Sequence, residues 1–178
     1  MVKKIVGTGV LLVLALALQA GVKMYTLKSP DGKVKLEVTA GQGIAYSLFY
    51  DGRLLLKPSR IALHTDLPEA DHWENIRITG TKQRHVSETV QAPFYRVKEF
   101  GIDCNELELR LNNGFSLLMR AYNDGMAYRF VAGRKGEMTV VEERAEFNFA
   151  DDFEAYIPYS TNPKDPWNMA FQNFYTKA

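Results

Sequence analysis

From Met24 onward, the sequence alternates between apolar and polar residues with a period of two. In residues 34–39 and 106–112 each apolar side chain is followed by a polar one, and in residues 115–121 four apolar side chains share one face. Neighbouring side chains of a strand point to opposite faces, so this pattern buries every second residue. No segment of ten or more residues carries a persuasive helical stripe. The sequence therefore predicts an all-β domain.

Turn signals lie between the alternating runs. Pro30-Asp31-Gly32, Asp51-Gly52, Asn113-Gly114 and Asp124-Gly125 each separate two strand-like segments. Asp-Gly and Asn-Gly pairs accept the positive φ angles of tight hairpins, so each pair predicts a hairpin. Many short antiparallel strands with turns at this spacing predict an antiparallel β-sandwich or barrel.

The first twenty residues are a different kind of sequence. Lys3 and Lys4 precede an apolar run of about fourteen residues, 5–18, and small residues suited to cleavage follow. This three-part pattern predicts a signal peptide over residues 1–20 and export to the periplasm or the extracellular space. A membrane span needs about 20 apolar residues, so we expect no stable span after cleavage. The alternative is an uncleaved N-terminal anchor.

The rest of the chain divides into two parts. Residues 24–158 form the predicted β-sandwich domain, interrupted by a polar, acidic loop at 65–71. Residues 159–178 form an irregular, aromatic-rich tail, because Pro163 and Pro166 are incompatible with a regular strand or helix interior.

Charge and cysteine content exclude several classes of protein. The formal net charge is +1, from 22 Lys and Arg against 21 Asp and Glu, so no nucleic-acid partner is expected. Cys104 is the only cysteine, which excludes an internal disulfide framework. Cys104 lies at a strand entrance and is interpreted as a small packing residue rather than a nucleophile.

Two groups of side chains are candidates for a metal or catalytic centre. His64 and His72 flank the acidic loop, but the spacing matches no metal motif, and a solvated loop with incidental charges is favoured. The adjacent carboxylates of Glu142-Glu143 would point to opposite faces of a strand, and Asp151-Asp152 is typical of a turn. Neither pair forms the facing couple that a glycosidase requires.

Aromatic side chains are the remaining candidates for ligand contact. Trp73 and Trp167 could stack on sugar rings, although core or interface packing is the favoured interpretation for any single one. The aromatic cluster of the tail lies outside the alternating strands, and so indicates a partner surface or a continuation of the chain.

The segment Arg120-Ala121-Tyr122-Asn123-Asp124-Gly125-Met126-Ala127-Tyr128-Arg129-Phe130 resembles the hallmark of the N-terminal domain of glycoside hydrolase family 97. Other pieces agree in order, from Ser29-Pro30-Asp31-Gly32-Lys33, through Tyr46–Arg53 and Leu56-Lys57-Pro58-Ser59, to Asn105-Glu106-Leu107-Glu108-Leu109. The resemblance covers roughly residues 24–175.

The resemblance implies a β-sandwich of the galactose-mutarotase-like type that packs against a catalytic (β/α)8 barrel. It implies hydrolysis of α-glucosides or α-galactosides with a calcium ion near the sugar, and places the catalytic carboxylates on the barrel. A barrel needs about 250 residues, which this chain does not hold. We therefore expect a non-catalytic domain that supports hydrolysis by a barrel absent from this chain, with that barrel as its partner if one is encoded downstream. The alternatives are a free-standing carbohydrate-binding module, with Trp73 or Trp167 as its platform, and a mutarotase-type epimerase.

The resemblance also suggests contact residues. Asn123 and Asp124 in the hallmark turn, together with Trp167 in the tail, are candidates for sugar contact. Gln172 and Asn173 stand where the family leads us to expect an acidic calcium ligand, and offer amide oxygens instead. The competing interpretation is that the hallmark hairpin shapes an interface, with Tyr122 and Tyr128 paired across it.

Overall fold

The structure is a computed structural model that describes residues 23–94, 96–154, 156–158, 164 and 175–177. The predicted signal peptide and most of the predicted tail lie outside the described residues. Among these residues, no helical segment has the length and hydrophobicity of a membrane span.

Eleven strands make up the described chain. They are β1 (Met24–Lys28), β2 (Val34–Gly41), β3 (Gly43–Tyr50), β4 (Arg53–Thr65), β5 (Ile78–Gln91), β6 (Glu99–Leu111), β7 (Phe115–Tyr122), β8 (Gly125–Ala132), β9 (Val140–Ala145), β10 (Tyr156–Pro158) and β11 (Tyr175–Lys177).

The strands form two main antiparallel sheets. The first sheet has the order β1-β2-β3-β4-β9, and the second has the order β5-β6-β7-β8. Strands β10 and β11 pair with each other as a separate two-stranded ribbon. β10 ends the predicted sandwich domain at residue 158, and β11 lies in the predicted tail. The all-β, antiparallel prediction is confirmed, and the arrangement is that of a β-sandwich.

The core lies between the two sheets, as the alternation predicts. In β7 the buried residues are Phe115, Leu117, Met119 and Ala121, and the residues between them are only partly buried. The facing sheet contributes Val34, Leu36 and Val38 from β2, with Ile44 and Tyr46 from β3.

Aromatic side chains join the sheets at one end of the core. The Tyr46 ring of β3 lies 6.1 Å from the Tyr128 ring of β8. Trp73, from the loop after β4, lies 5.1 Å from Phe130 and 5.9 Å from Phe115, measured between ring centroids. The Trp73 indole N–H donates to the Leu63 carbonyl over 3.0 Å, so this side chain is a satisfied core residue.

The hairpin turns use two different geometries. Asp51 and Gly52 have φ of 47° and 79°, as a two-residue turn of the mirror-image type requires, and Gly114 has φ of 86°. The hairpin at Asp124-Gly125 is confirmed, but neither residue has positive φ. The register pairs Tyr122 with Gly125, so Asn123 and Asp124 make the turn and Gly125 already belongs to β8.

Alanine substitutions at the two glycines separate these geometries. Gly52→Ala is expected to lower the free energy of unfolding by about 1–2 kcal/mol, because a Cβ disfavours left-handed backbone. Gly125→Ala is the matched control and is expected to be neutral or slightly stabilising, since no atom lies within 4 Å of an added Cβ. Chemical denaturation of both variants checks this, and an equal loss at the two positions would refute the assigned turn geometry.

Candidate functional site

The hallmark hairpin presents its polar residues on the outer face of the second sheet. The register places Arg84 beside Glu106, Glu106 beside Arg120, and Arg120 beside Ala127. Residues paired across strands point to the same side of a sheet. Arg84, Glu106 and Arg120 therefore form a row across β5, β6 and β7, which we call the Arg–Glu–Arg cluster.

Both oxygens of the Glu106 carboxylate are occupied by guanidinium groups. Arg84 Nε donates to Oε1 over 2.7 Å, and Arg120 Nε donates to Oε2 over 2.8 Å. The Glu106 side chain is only 6% exposed, against 24% for Arg120 and 53% for Arg84. Charge-assisted hydrogen bonds of this length are the strong kind, and they hold three strands in register.

The cluster fixes the ionisation of its members. Burial alone would raise the pKa of Glu106, but the hydrogen bonds from Arg84 and Arg120 outweigh it, so the pKa lies below its ordinary value. The hydrogen bond to Glu106 raises the pKa of Arg120, with a further contribution from Tyr122. A carboxylate held ionised with both oxygens bonded is poorly suited to proton transfer. The Glu106 carboxylate therefore has a structural role, or it positions the two arginines.

This linkage predicts acid sensitivity. Because the folded-state pKa of Glu106 is lowered, its stabilisation is fully present above about pH 4.3, the ordinary glutamate value, and is lost as the pH falls through the lower folded-state value. The difference in melting temperature between the natural chain and Glu106→Gln is therefore expected to be largest near neutral pH and to shrink towards pH 3. Thermal scans across that range test this.

Glu108→Gln is the control for the pH experiment. Glu108 lies on the same face of β6, but its carboxylate accepts a hydrogen bond from Ser116 over 3.4 Å instead of pairing with arginine. A gap that stays constant with pH for Glu106→Gln, or an equal gap for Glu108→Gln, would contradict the assigned role of Glu106.

A shallow depression of about 180 Å³ adjoins the cluster, lined by Leu118, Arg120, Tyr122, Ala127, Tyr128 and Arg129. The register sets Arg129 beside Leu118, on the same outer face as Arg120. The Arg129 side chain is exposed and forms no hydrogen bond or ion pair with the residues that the structure describes. The depression can therefore offer guanidinium donors to an anionic or hydroxylated group.

The structure overturns the expected pairing of Tyr122 with Tyr128. Tyr122 pairs with Gly125, and Tyr128 pairs with Met119, so the two rings point to opposite faces of the sheet. The Tyr128 hydroxyl donates to Glu143 of β9 over 3.1 Å, which links the two sheets. Burial raises the pKa of Tyr128, and the hydrogen bond to Glu143 adds to the shift. Pairing Tyr122 with Tyr128 would require a register shifted by three residues, and any odd shift moves side chains to the other face.

Asn123 and Asp124, the candidates for sugar contact in the turn, have different surroundings. The Asn123 side-chain oxygen accepts a hydrogen bond from the Asp31 backbone N–H over 3.0 Å, which ties this hairpin to the turn between β1 and β2. Asp31 in turn accepts from Ser29, and this bond is the main reason that the pKa of Asp31 is lowered. Asp124 is exposed. Asn123 thus has a structural contact, and a role in sugar binding stays a prediction for both.

Cys104 lies on the same outer face at the end of the cluster. It is fully buried, and its register partners are Val86 and Tyr122. Burial raises the pKa of the Cys104 thiol, which disfavours the nucleophilic thiolate. The interpretation of Cys104 as a packing residue is confirmed.

The acidic loop after β4 sends its charged side chains to separate partners. His64 Nδ1 lies 2.8 Å from Asp71 Oδ1, Glu69 pairs with Arg134 over 2.7 Å, and Asp66 accepts the Thr139 backbone N–H. Among the described residues, no three His, Cys, Asp or Glu side chains gather into a group that could hold a metal ion. The contacts of Glu69 and Asp66 hold the loop against the segment that leads into β9.

The adjacent carboxylates diverge as predicted. Glu142 is the register partner of His64 and Glu143 that of Leu63, so they project to opposite faces of β9. Asp151 forms an exposed ion pair of 3.5 Å with Arg53, at a bend.

Three candidate residues, Trp167, Gln172 and Asn173, lie outside the described residues. Trp73 is 7% exposed, so it cannot serve as the exposed platform that a binding module would need. The sequence pattern does not predict the Arg–Glu–Arg cluster. Arg120 belongs to the hallmark, but its partnership depends on the register of β5, which the sequence pattern does not reveal.

Comparison with known proteins identifies the family. The sequence model described as "Glycosyl-hydrolase 97 N-terminal" matches residues 27–178. A retaining alpha-galactosidase of Bacteroides thetaiotaomicron is 39% identical over 167 residues, covering 90% of this chain and 25% of that protein. A probable retaining alpha-galactosidase of Streptomyces bingchenggensis is 26% identical over 132 residues, covering 72% of this chain and 20% of that protein.

Solved structures share the fold. A beta-arabinopyranosidase crystal structure matches with a TM-score of 0.72 and 22% identity, over 85% of this chain and 26% of that one. A family 97 enzyme from Pseudoalteromonas sp. strain K8, in complex with panose, matches with a TM-score of 0.64 and 18% identity, over 76% and 22%. The chain spans about a quarter of the length of these relatives. It belongs to glycoside hydrolase family 97 and corresponds to the N-terminal part of a family 97 glycosidase.

Proposed function

We propose that this chain is the non-catalytic β-sandwich domain of an exported α-glycosidase. In this proposal the domain supports hydrolysis of α-galactosides by a (β/α)8 barrel that occupies other parts of the enzyme. The observation that carries the proposal is the 39% identity to a retaining alpha-galactosidase of which this chain covers only 25%.

The relatives favour α-galactosides among the expected substrates. Both sequence relatives are described as retaining or probable retaining alpha-galactosidases. The structural neighbours are described as a beta-arabinopyranosidase and as enzymes in complex with panose or acarbose, but their identity to this chain is lower. α-Galactosides are therefore the first substrates to test, and α-glucosides the second.

The described carboxylates are consistent with a supporting role. Glu106 is held between two arginines, Glu143 accepts from Tyr128, and Glu146 accepts the Arg60 backbone N–H over 3.0 Å. Each of these three groups stabilises a contact between segments of the sandwich. On this proposal, the acid and base of hydrolysis belong to the barrel.

Three further features complete the proposal. The sandwich is of the galactose-mutarotase-like type, residues 1–20 direct export to the periplasm or beyond, and the full-length enzyme binds calcium near its sugar. Gln172 and Asn173 remain the candidate calcium ligands of this domain, because amide oxygens belong to the ligand set that calcium accepts.

The proposal is tested with two proteins. The first is the purified chain. The second is a chimera in which this chain replaces the matching N-terminal quarter of the Bacteroides thetaiotaomicron relative. We expect p-nitrophenyl α-D-galactoside to be hydrolysed by the chimera and not by the chain. Hydrolysis by the isolated chain would overturn the assignment of catalysis to other parts of the enzyme.

A further inference from the structure

The β5–β6 hairpin extends beyond the sheet to which it belongs. Strands β5 and β6 stay paired from Ile78↔Leu111 to Gln91↔Glu99, whereas β7 pairs with β6 only between Cys104 and Arg110. Among the described residues, the five pairs from Ser87↔Asp103 to Gln91↔Glu99 therefore have no third strand beside them. At about 3.4 Å per residue, this two-stranded arm, residues 87–94 and 96–103, projects roughly 15–20 Å past β7.

The arm carries apolar side chains that remain in solvent. Val90 and Phe100 are register partners on one face, and are 41% and 44% exposed. At the tip, Phe94 is 97% exposed and Val97 is 55% exposed. An isolated two-stranded hairpin is marginally stable in water, and clustered exposed apolar residues mark interaction surfaces.

The apolar row continues the outer face of the second sheet. Val90 and Phe100 lie on the same side of the hairpin as Val86, Cys104 and Glu106, because all are even-numbered and paired residues share a face. The arm thus extends the surface that holds the Arg–Glu–Arg cluster and the depression beside Arg129. Arginine beside exposed aromatic side chains is the composition of protein interfaces.

We propose that the β5–β6 arm is a docking element that buries Phe94, Val97 and Phe100 against the catalytic region of the family 97 enzyme. This inference rests on the proposed function. We choose the catalytic region as the binding partner of the arm because about three-quarters of each relative's length lies outside the part that this chain matches. Burial of one such aromatic side chain strengthens association by about tenfold or more.

Hydrogen exchange on the isolated chain and on the chimera tests the arm directly. Peptides that cover residues 87–103 are expected to exchange at least about tenfold more slowly in the chimera, because docking must open before the amides exchange. The edge strand β9 is the internal control, since Val140 and Val141 are 51% and 68% exposed. Its peptides are expected to exchange equally in both proteins. Equal exchange of the arm peptides in the two proteins would overturn the proposal.

Matched variants test the side chains. Phe94→Ser combined with Val97→Ser is expected to leave the melting temperature of the isolated chain unchanged, and to restore fast exchange of the arm in the chimera. Val140→Ser combined with Val141→Ser makes the same chemical change on β9 and is expected to leave the arm protected. If the tip variant keeps the arm protected, the proposal fails.

The outcomes for the arm and for the proposed function are separable. Hydrolysis by the chimera but not by the chain, with equal exchange of the arm, would retain the proposed function and reject the arm. Hydrolysis by the isolated chain would reject the proposed function whatever the arm does. Sedimentation of the isolated chain tests whether a second copy of the chain, instead of the catalytic region, binds the arm. A dimer that Phe94→Ser dissociates would assign the arm to a second copy and overturn the proposal.

Discussion

Arg120→Ala is expected to lower the free energy of unfolding of this domain by about 2–3 kcal/mol, because it leaves one oxygen of a buried carboxylate without its partner. The Glu106 side chain is 6% exposed, so little water can replace the lost guanidinium. Arg84 remains bonded to the other oxygen, which keeps the loss below that of a fully orphaned charge. Urea denaturation of the purified chain measures the effect.

Arg129→Ala is the matched control for Arg120→Ala. Both side chains lie on the outer face of the hallmark hairpin, one on each strand, but Arg129 is exposed and has no ion-pair partner among the described residues. Its removal is expected to change the free energy of unfolding by less than about 0.5 kcal/mol. Equal losses for the two arginines would contradict the stabilising role of the cluster. A loss at Arg129 alone would place the important contact on β8.

Leu117→Ala is expected to cost about 2–5 kcal/mol, the range for truncating a fully buried leucine. Leu117 is 0% exposed and lies between the two sheets, whereas its neighbour Leu118 points outward into the depression beside Arg120. Leu118→Ala makes the same chemical change one residue along the strand, and is expected to cost about 1 kcal/mol or less, because the site is half-buried.

The pair also tests the register of β7. A slip of one residue would move every side chain of the strand to the other face. The larger loss would then fall on Leu118, and that result would contradict the pairing of β6 with β7. If the free energy of unfolding depends on denaturant with the same slope in both variants, the difference between their midpoints reports the difference in stability.

The elements that the sequence predicts well are those with one apolar face. β2, β7 and residues 107–111 of β6 alternate cleanly, since every second residue packs into the core, and the turns that precede β2, join β6 to β7 and join β7 to β8 contain Asp-Gly or Asn-Gly. β5 was not identified. Its sequence is polar on both faces, with Val86 as its one buried residue. It is an edge strand, and in its far half no strand of the described residues lies beyond β6. An edge strand carries little pattern for a sequence to reveal.

The candidate site can be predicted from the sequence only in part. The hallmark segment was recognised, and its hairpin was placed correctly. The turn type at Asn123-Asp124 and the faces of Tyr122 and Tyr128 depend on which residues pair, and that register is set by tertiary packing. The ion pair between Glu106 and Arg84 joins residues 22 apart in sequence, and the hydrogen bond between Asp31 and Asn123 joins residues 92 apart. No local pattern carries such contacts.

On the proposed function, we expect the outer face of the second sheet to be the surface that faces the rest of the enzyme. It combines a rigid charged row at Glu106, an exposed arginine at position 129 and an apolar arm that ends at Phe94. The sandwich holds these groups in fixed relative positions. We expect the hallmark segment to organise an interface, and the chemistry of sugar cleavage to lie beyond it.

The central claim is that this chain assists hydrolysis and does not perform it. The most direct measurement is the turnover of p-nitrophenyl α-D-galactoside by equal amounts of the purified chain and of the chimera with the Bacteroides thetaiotaomicron catalytic region. We predict release of p-nitrophenol by the chimera and none above background by the chain. Release by the isolated chain, at a rate that scales with its concentration, would contradict the claim.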